Sequence, residues 1–355
     1  MSKLPNDLIV EILLRLPVKL LLQLKSVCKS WQSIISDPEF VKLHLKRAKQ
    51  TTNLHCNRLF LSSSFPRSID LESYSSHQSI TNVAFPAILK GPPTFSVRIL
   101  GSCNGVICLL DDYGKMFLWN PATRDYKELP NPNGAVYTIF LHGFGYNVST
   151  DDYGILSVSD SVGNGTKETL IELYSLKRNT WRKIDAVVDS DSDSVTKRSG
   201  IFWNGALYWL KVKKIDLKEV YTIVSFDMVE EKFEDVISLD DEFDPKICRA
   251  SLGQLGNRLC VFCEWRGRCL EGLVLINGRK EVFWSRLFSL KHERFPGNEN
   301  SVLCLTGNGE VAVETDGWKL NFYNPKDATL KNLNGDSDSC ESELYMESLV
   351  SPNSF

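Results

Sequence analysis

One pairing recurs along this chain at nearly constant intervals. A small polar residue closes a strand-like run, and a large, mostly aromatic residue follows six positions later. The pairs are Asn120 with Tyr126, Ser175 with Trp181, Asp227 with Phe233, Asn277 with Phe283, and Asn324 with Leu330. Their leading members stand 55, 52, 50 and 47 residues apart. A step of 50 back from Asn120 reaches Asp70, at the end of another strand-like run, but Ser76 stands six on, so the first unit is degenerate. Turn-forming dipeptides precede the pairs by 16 to 23 residues, at Asn104-Gly105, Tyr153-Gly154, Asn204-Gly205, Gly256-Asn257 and Asn308-Gly309. They suit tight hairpins, where φ > 0 is required. The intervening runs, such as "GVICLLDDYGKMFLWNP" and "RLCVFCEW", are rich in β-branched and aromatic residues split by Gly, Asn and Asp, the texture of strands and turns. Each unit therefore holds about four strands in ~50 residues, the size of one propeller blade. About six blades are expected, with each pair forming the turn and the inward anchor of a blade's later hairpin. A β-sandwich with coincidental spacing is the competing architecture. Residues 344–350 read as a last strand that would pair near 58–61 and close the ring.

The first fifty residues follow a different period. Leu8, Ile9, Ile12, Leu13 and Leu16 obey the i, i+3, i+4, i+7 rule, with Asp7, Glu11 and Arg15 opposite them. Asn6 is read as the N-cap of this helix, and Pro17 as ending it and suiting the first turn of the next. Leu20, Leu21, Leu22, Leu24 and Val27 form a second helix, and Cys28, Trp31, Ile34 and Ile35 mark a third. Asp37-Pro38-Glu39 reads as cap, first-turn proline and first-turn acid of a fourth helix. Charges every four residues exclude a signal peptide and a membrane span. A bundle this small cannot hide apolar side chains on every side. The surplus is either a docking surface for a partner protein or is covered by the rest of the chain.

The formal net charge of −3 points to no nucleic-acid surface. Ten cysteines at irregular spacing are read as reduced thiols of a cytoplasmic or nuclear protein. Cys260 and Cys263 have CxxC form with Cys269 nearby, but no histidine is close and no fourth ligand matches, so buried strand cysteines are expected rather than a metal site. Five scattered histidines and the absence of HExxH, GxSxG and P-loop patterns leave no catalytic site and no cofactor to nominate. Weak candidates for contacting a target protein are Trp265, Arg266 and Arg268, and behind them Tyr137, His142, Arg198 and Trp318, as aromatic and arginine loop residues.

Two segments carry a resemblance. "LPNDLIVEILLRLPVKLLLQLKSVCKSWQSIISDPEFVKLHL" is similar to the F-box, through Leu4-Pro5, Ile12-Leu13, Leu16-Pro17, Leu20, Val27-Cys28-Lys29, Trp31, Ile34 and Pro38 to Phe40. "GSCNGVICL", "LWNPATRDYKELP", "GFGYNVSTDDYGILSV", "LYSLKRNTWRKI", "GIFWNGALYWL" and "ESLVSP" resemble the plant F-box-associated domain, in order and spacing across nearly the whole chain. Gly154 stands where that family usually has lysine, which suggests a tighter turn there. The chain lacks the Gly-Gly of true kelch repeats and the Trp-Asp of WD40 repeats. The resemblance implies an F-box helical domain at 1–48, a linker at 49–56 and an all-β propeller-like domain at 57–352. It implies a non-catalytic substrate receptor of an SCF-type ubiquitin ligase, linked by a Skp-type adaptor to cullin and RING subunits and holding a target protein. Leu4, Pro5, Ile12, Leu16, Pro17, Leu20, Val27 and Trp31 would then lie in or beside the adaptor interface. The alternative is a stand-alone propeller enzyme or small-ligand or glycan binder, with titratable side chains converging on its central channel.

Overall fold

The computed structural model describes residues 5–50, 57–62, 66–71, 80–89, 97–132, 139–163, 166–186, 194–215, 218–239, 247–255, 258–265, 269–277, 282–291, 300–306, 308–315, 319–327, 329–332 and 341–354. Four helices come first: α1 (Asn6–Leu13), α2 (Val18–Leu24), α3 (Lys29–Ser36) and α4 (Pro38–Gln50). Asn6 is the first residue of α1 and not its cap; Pro5 precedes it and supplies no side-chain cap. The helix stops at Leu13, four residues short of Pro17: a proline has no amide to offer the Leu13 carbonyl, and its ring would clash with that carbonyl in a continued helix. Pro17 itself is extended and caps α2 through its carbonyl, which accepts from the amides of Leu20 and Leu21. The Asp37 cap is as read: its Oδ1 accepts from the amides of Glu39 (2.8 Å) and Phe40 (3.2 Å).

Among the described residues, 24 of the 25 strands that follow make six four-stranded antiparallel blades, and the remaining one, Ser194–Val195, pairs with Ala206–Ile215. Blades 2 to 6 occupy 97–129, 139–183, 199–238, 247–291 and 300–332, with their strands paired in chain order. Blade 1 joins the two ends of the domain. Its outer strands are Asn57–Ser62, Arg67–Asp70 and Ile80–Asn82, and its innermost is Glu341–Met346, antiparallel to Asn57–Ser62 with Leu344 opposite Leu59. The ring thus closes near 58–61 as expected, with a strand that starts three residues earlier than 344 and stops at Met346.

Packing settles the architecture against a sandwich. Six buried clusters lie one at each junction between neighbouring blades. Phe60 and Tyr345 meet Trp119 between blades 1 and 2, and Leu100 meets Phe144 between blades 2 and 3. Leu156 meets Leu207 between blades 3 and 4, and Ile223 meets Val261 between blades 4 and 5. Phe262 meets Val311 between blades 5 and 6, and Phe322 meets Leu59 between blades 6 and 1, completing the circle. Middle strands are consequently covered on both faces, which is why Val106–Asp111 and Met116–Trp119 are buried at every position instead of alternating. The outermost strand of the same blade, Tyr126–Leu129, lies partly exposed.

In blades 2, 3, 4 and 6 the recurring polar residue opens the turn of the outer hairpin and accepts from an amide two or three residues on. Asn120 Oδ1 accepts from the amides of Ala122 and Thr123, and Asp227 Oδ1 from those of Val229 and Glu230. Four positions beyond the polar residue, Arg124, Asn179 and Glu231 take φ of 67, 53 and 56°, so the side-chain acceptor holds a tight reversal. The second member of each pair is a weaker anchor than expected: Tyr126 is exposed, and Trp181, Phe233 and Leu330 are half-buried. Among the dipeptides, Asn104-Gly105 and Asn204-Gly205 are tight turns with φ of 54 and 85°, and 47 and 89°. Tyr153-Gly154 is not a turn. It lies within the strand Asp152–Gly163, and the reversal before it is made by Asn147, whose Oδ1 accepts from Ser149 and Thr150. A side chain at Gly154 would press on Met228 at 2.9 Å, so close packing explains that glycine. Gly256-Asn257 lies outside the described residues.

Blades 3 and 4 are further joined into one sheet by a short parallel pairing, His142 with Ser199 and Gly143 with Gly200. A Cβ at Gly143 would strike Leu207 at 2.8 Å, and one at Gly200 would strike Trp209 at 2.5 Å. Glycine at both positions leaves room for the Leu207 and Trp209 side chains against this junction, where the His142 amide donates to the Arg198 carbonyl at 3.0 Å.

Candidate functional site

The helical bundle has two unlike sides. Its own core is Leu13, Val18, Leu21, Ile35 and Phe40, and the same cluster takes in Leu349 and Ala122 from the β domain. Val41 and Leu45 of α4 pack on the cluster between blades 2 and 3. Lys42 donates to Asp151 Oδ2 at 2.9 Å, which raises the lysine pKa, while hydrogen bonds from Tyr146 and then Lys42 lower that of Asp151. One side of the bundle is therefore seated on the ring.

The other side is uncovered. Leu8, Ile12, Leu20, Val27 and Leu43 are exposed by 52, 53, 44, 60 and 50%. Of the residues singled out from the sequence, Pro5 and Pro17 are exposed as well, Leu16 and Trp31 are half-buried, and Leu4 lies outside the described residues. Glu11 sits beside this surface and ties α1 to α4. Its carboxylate accepts from Arg15 (2.8 Å) and Arg47 (3.0 Å), and these hydrogen bonds lower its pKa. His44, buried beneath, holds the Leu16 carbonyl at 2.9 Å; burial lowers its pKa, so the neutral ring donates. Leu8 and Leu43 are exposed too, although the sequence did not single them out for a contact. Leu8 stands four before Ile12 on one helix face, a spacing that sequence alone displays.

The seam between bundle and ring is built by the tail "ESLVSP". Asn120 Nδ2 donates to the carbonyls of Ser348 (3.0 Å) and Val350 (2.7 Å), and Ser348 Oγ donates to the Asn104 carbonyl at 2.6 Å. Those three bonds hold the chain so that Leu349 joins the helical core while Val350 enters the cluster between blades 2 and 3.

The residues nominated for target binding fare differently. Trp265 ends a strand of blade 5, and Arg266 and Arg268 lie outside the described residues, as do Tyr137 and Trp318. His142 is not an exposed loop residue. It is buried on the inner strand of blade 3 with Nδ1 3.2 Å from the Leu100 carbonyl, and burial drives its pKa down to about 3. It borders a central cavity of about 650 Å³ lined by the inner strands of all six blades. Cys260 and Cys263 are buried free thiols, and burial pushes Cys263 up to about 12. Among the described residues no group of three His, Cys, Asp or Glu side chains could hold a metal ion.

Residues 1–43 match the family model of the F-box domain, and residues 44–351 match that of the F-box associated beta propeller domain. An Arabidopsis thaliana F-box/kelch-repeat protein is 28% identical over 367 residues, spanning 99% of this chain and 96% of its own length. The F-box protein CPR1 of the same plant is 25% identical over 377 residues, spanning 99% and 89%.

Proposed function

The chain belongs to the F-box-associated β-propeller family and opens with an F-box; from that premise we propose that it is the substrate-recognition subunit of an SCF-type ubiquitin ligase. The observation that carries the reading is the one-sided bundle. Its inner side is anchored by Leu349, Val41 and Leu45, while Leu8, Ile12, Leu20 and Val27 are left half in water. Completing the burial of those four side chains would contribute roughly 3–6 kcal/mol, at ~1.5–3 kcal/mol for each full side chain. A Skp-type adaptor offering an apolar helical groove would supply that cover, and would bring cullin and RING subunits with it. Pro5, Ile12, Leu16, Pro17, Leu20, Val27 and Trp31, with Leu4, are the residues assigned to this contact, extended by Leu8.

In this reading the receptor performs no bond chemistry. It holds a target protein on the propeller so that a target lysine stays near the charged conjugating enzyme, and the rate gain is one of effective concentration. Trp265, Arg266 and Arg268 are the proposed target contacts. Such a complex would work in the cytoplasm or nucleus. Co-expression with a Skp-type adaptor tests the first half. The wild type should co-purify with it, and Ile12→Asp with Leu20→Asp should abolish co-purification without unfolding the chain. Retained binding in the double variant overturns the assignment.

A further inference from the structure

The central cavity contains more hydrogen-bond donors than it satisfies. Its acidic side chains are all engaged. Glu341 accepts from the Ile99 amide at 2.6 Å, Glu314 from Ser342 Oγ at 2.6 Å, Glu343 from Lys197 at 3.1 Å, and Glu219 from the Tyr221 hydroxyl at 2.6 Å. Arg98, on the inner strand of blade 2, and Arg198, at the start of blade 4, both line the cavity; the Arg98 charge favours the ionised Glu341 carboxylate, yet neither guanidinium donates a hydrogen bond among the described residues. Two guanidinium forks with open donors match the geometry of planar oxyanions.

These groups are held together by the fold. The Arg198 carbonyl accepts from the His142 amide (3.0 Å) and from Trp209 Nε1 (3.2 Å), which pins the start of blade 4 against blade 3. Arg98, Lys197 and Arg198 are all close enough to His142 to disfavour its protonated form, so the ring is neutral and the positive charge belongs to the three flanking cations. Lys197 is half accessible although it points inward, so the surface it exposes faces the cavity.

We propose that the propeller channel is a binding site for a small organic anion, a carboxylate or phosphate ester, gripped by Arg98 and Arg198. A volume of about 650 Å³ admits a metabolite-sized ligand and no folded polypeptide. The glutamates opposite would accept from hydroxyl or amino groups on the rest of such a ligand. The site is separate from the adaptor patch and stands or falls without it.

Citrate and inorganic phosphate are the two probes, added to the full chain at matched ionic strength while melting is followed. A saturable rise of several degrees with at least one of them is expected, with half-saturation at millimolar concentration or below. Arg198→Ala, at an exposed position, should raise the half-saturating concentration at least tenfold, and Arg178→Ala, on an outer turn, should leave it unchanged. Arg98→Ala should weaken the response to the same probe, and if it does not fold, the Arg198 variant decides. The site is overturned if neither probe gives a saturable shift, or if the half-saturation of Arg198→Ala matches the wild type, which would mark the effect as general surface screening.

Discussion

The helical bundle and the β ring treat apolar surface in opposite ways. The ring seals it: Trp119, Trp209, Tyr174, Phe117 and Phe226 are fully covered, and among its exposed large apolar side chains Tyr113, Val148 and Ile215 stand on three different blades. The bundle gathers five exposed aliphatic side chains into its first 43 residues. Chain length explains the difference. A ring of six blades gives every sheet two neighbours, so both faces can be buried. Four short helices have one neighbour, the ring, and the side away from it stays open. An open apolar side on an otherwise well-packed molecule marks a contact surface, whereas the ring confines its own unsatisfied chemistry to the channel.

The sharpest way to break this comparison is to open the ring. Ending the chain after Asp338 removes the inner strand of blade 1 and the tail that follows, and with them the junctions to blades 2 and 6 and the seam to the bundle. A loss of at least ~5 kcal/mol is expected, a fall in melting temperature of about 10 °C or more by calorimetry, whereas ending at Pro352 should cost little. An unchanged melting point in the longer truncation would mean that the ring does not depend on its closing strand.

Leu349→Ala is the next largest. It leaves a cavity in the helical core at a cost of ~2–4 kcal/mol. Hydrogen exchange should quicken in α2 and α3 while the inner strands of blades 4 to 6 keep their protection. Equal loosening in both regions would show that bundle and ring unfold as one unit.

Acid should act on the ring through His142. Its folded pKa of about 3 lies below the ordinary value of 6.5, so the unfolded chain binds the proton first. The stability at stake is complete above about pH 6.5 and is lost as pH falls toward 3, the loss reaching roughly 2 kcal/mol by pH 5. Chemical denaturation of wild type and His142→Asn from pH 7 to 5 should show the variant losing about 2 kcal/mol less over that interval. Parallel losses in the two proteins would remove this histidine as the source. The smallest effect is expected at the bundle's open side, where Ile12→Asp and Leu20→Asp should shift stability by no more than ~0.5 kcal/mol each in urea denaturation. A larger loss would mean that these side chains already serve the fold.

Much of this was legible along the chain. The blade period was readable because outer turns carry their own acceptor, as Asn120 and Asp227 do for amides two and three residues on. Asp37 announced α4 for the same reason. Tyr153-Gly154 misled because a glycine required by Met228, in the neighbouring blade, looks in sequence like one required by a turn. His142 misled in a similar way: nothing local distinguishes a histidine on a loop from one on an inner strand.

The chain by itself determined its helices, most of its turns and its six-fold repetition, since those depend on interactions within a few residues and on a hydrophobic pattern that repeats. Only the tertiary structure decided which strand completes blade 1, that Leu349 plugs the helical core, and that Arg98 and Arg198 line one cavity. Those outcomes join residues as distant along the chain as Asn57 and Met346, and contacts of that range come into being only when the ring has closed.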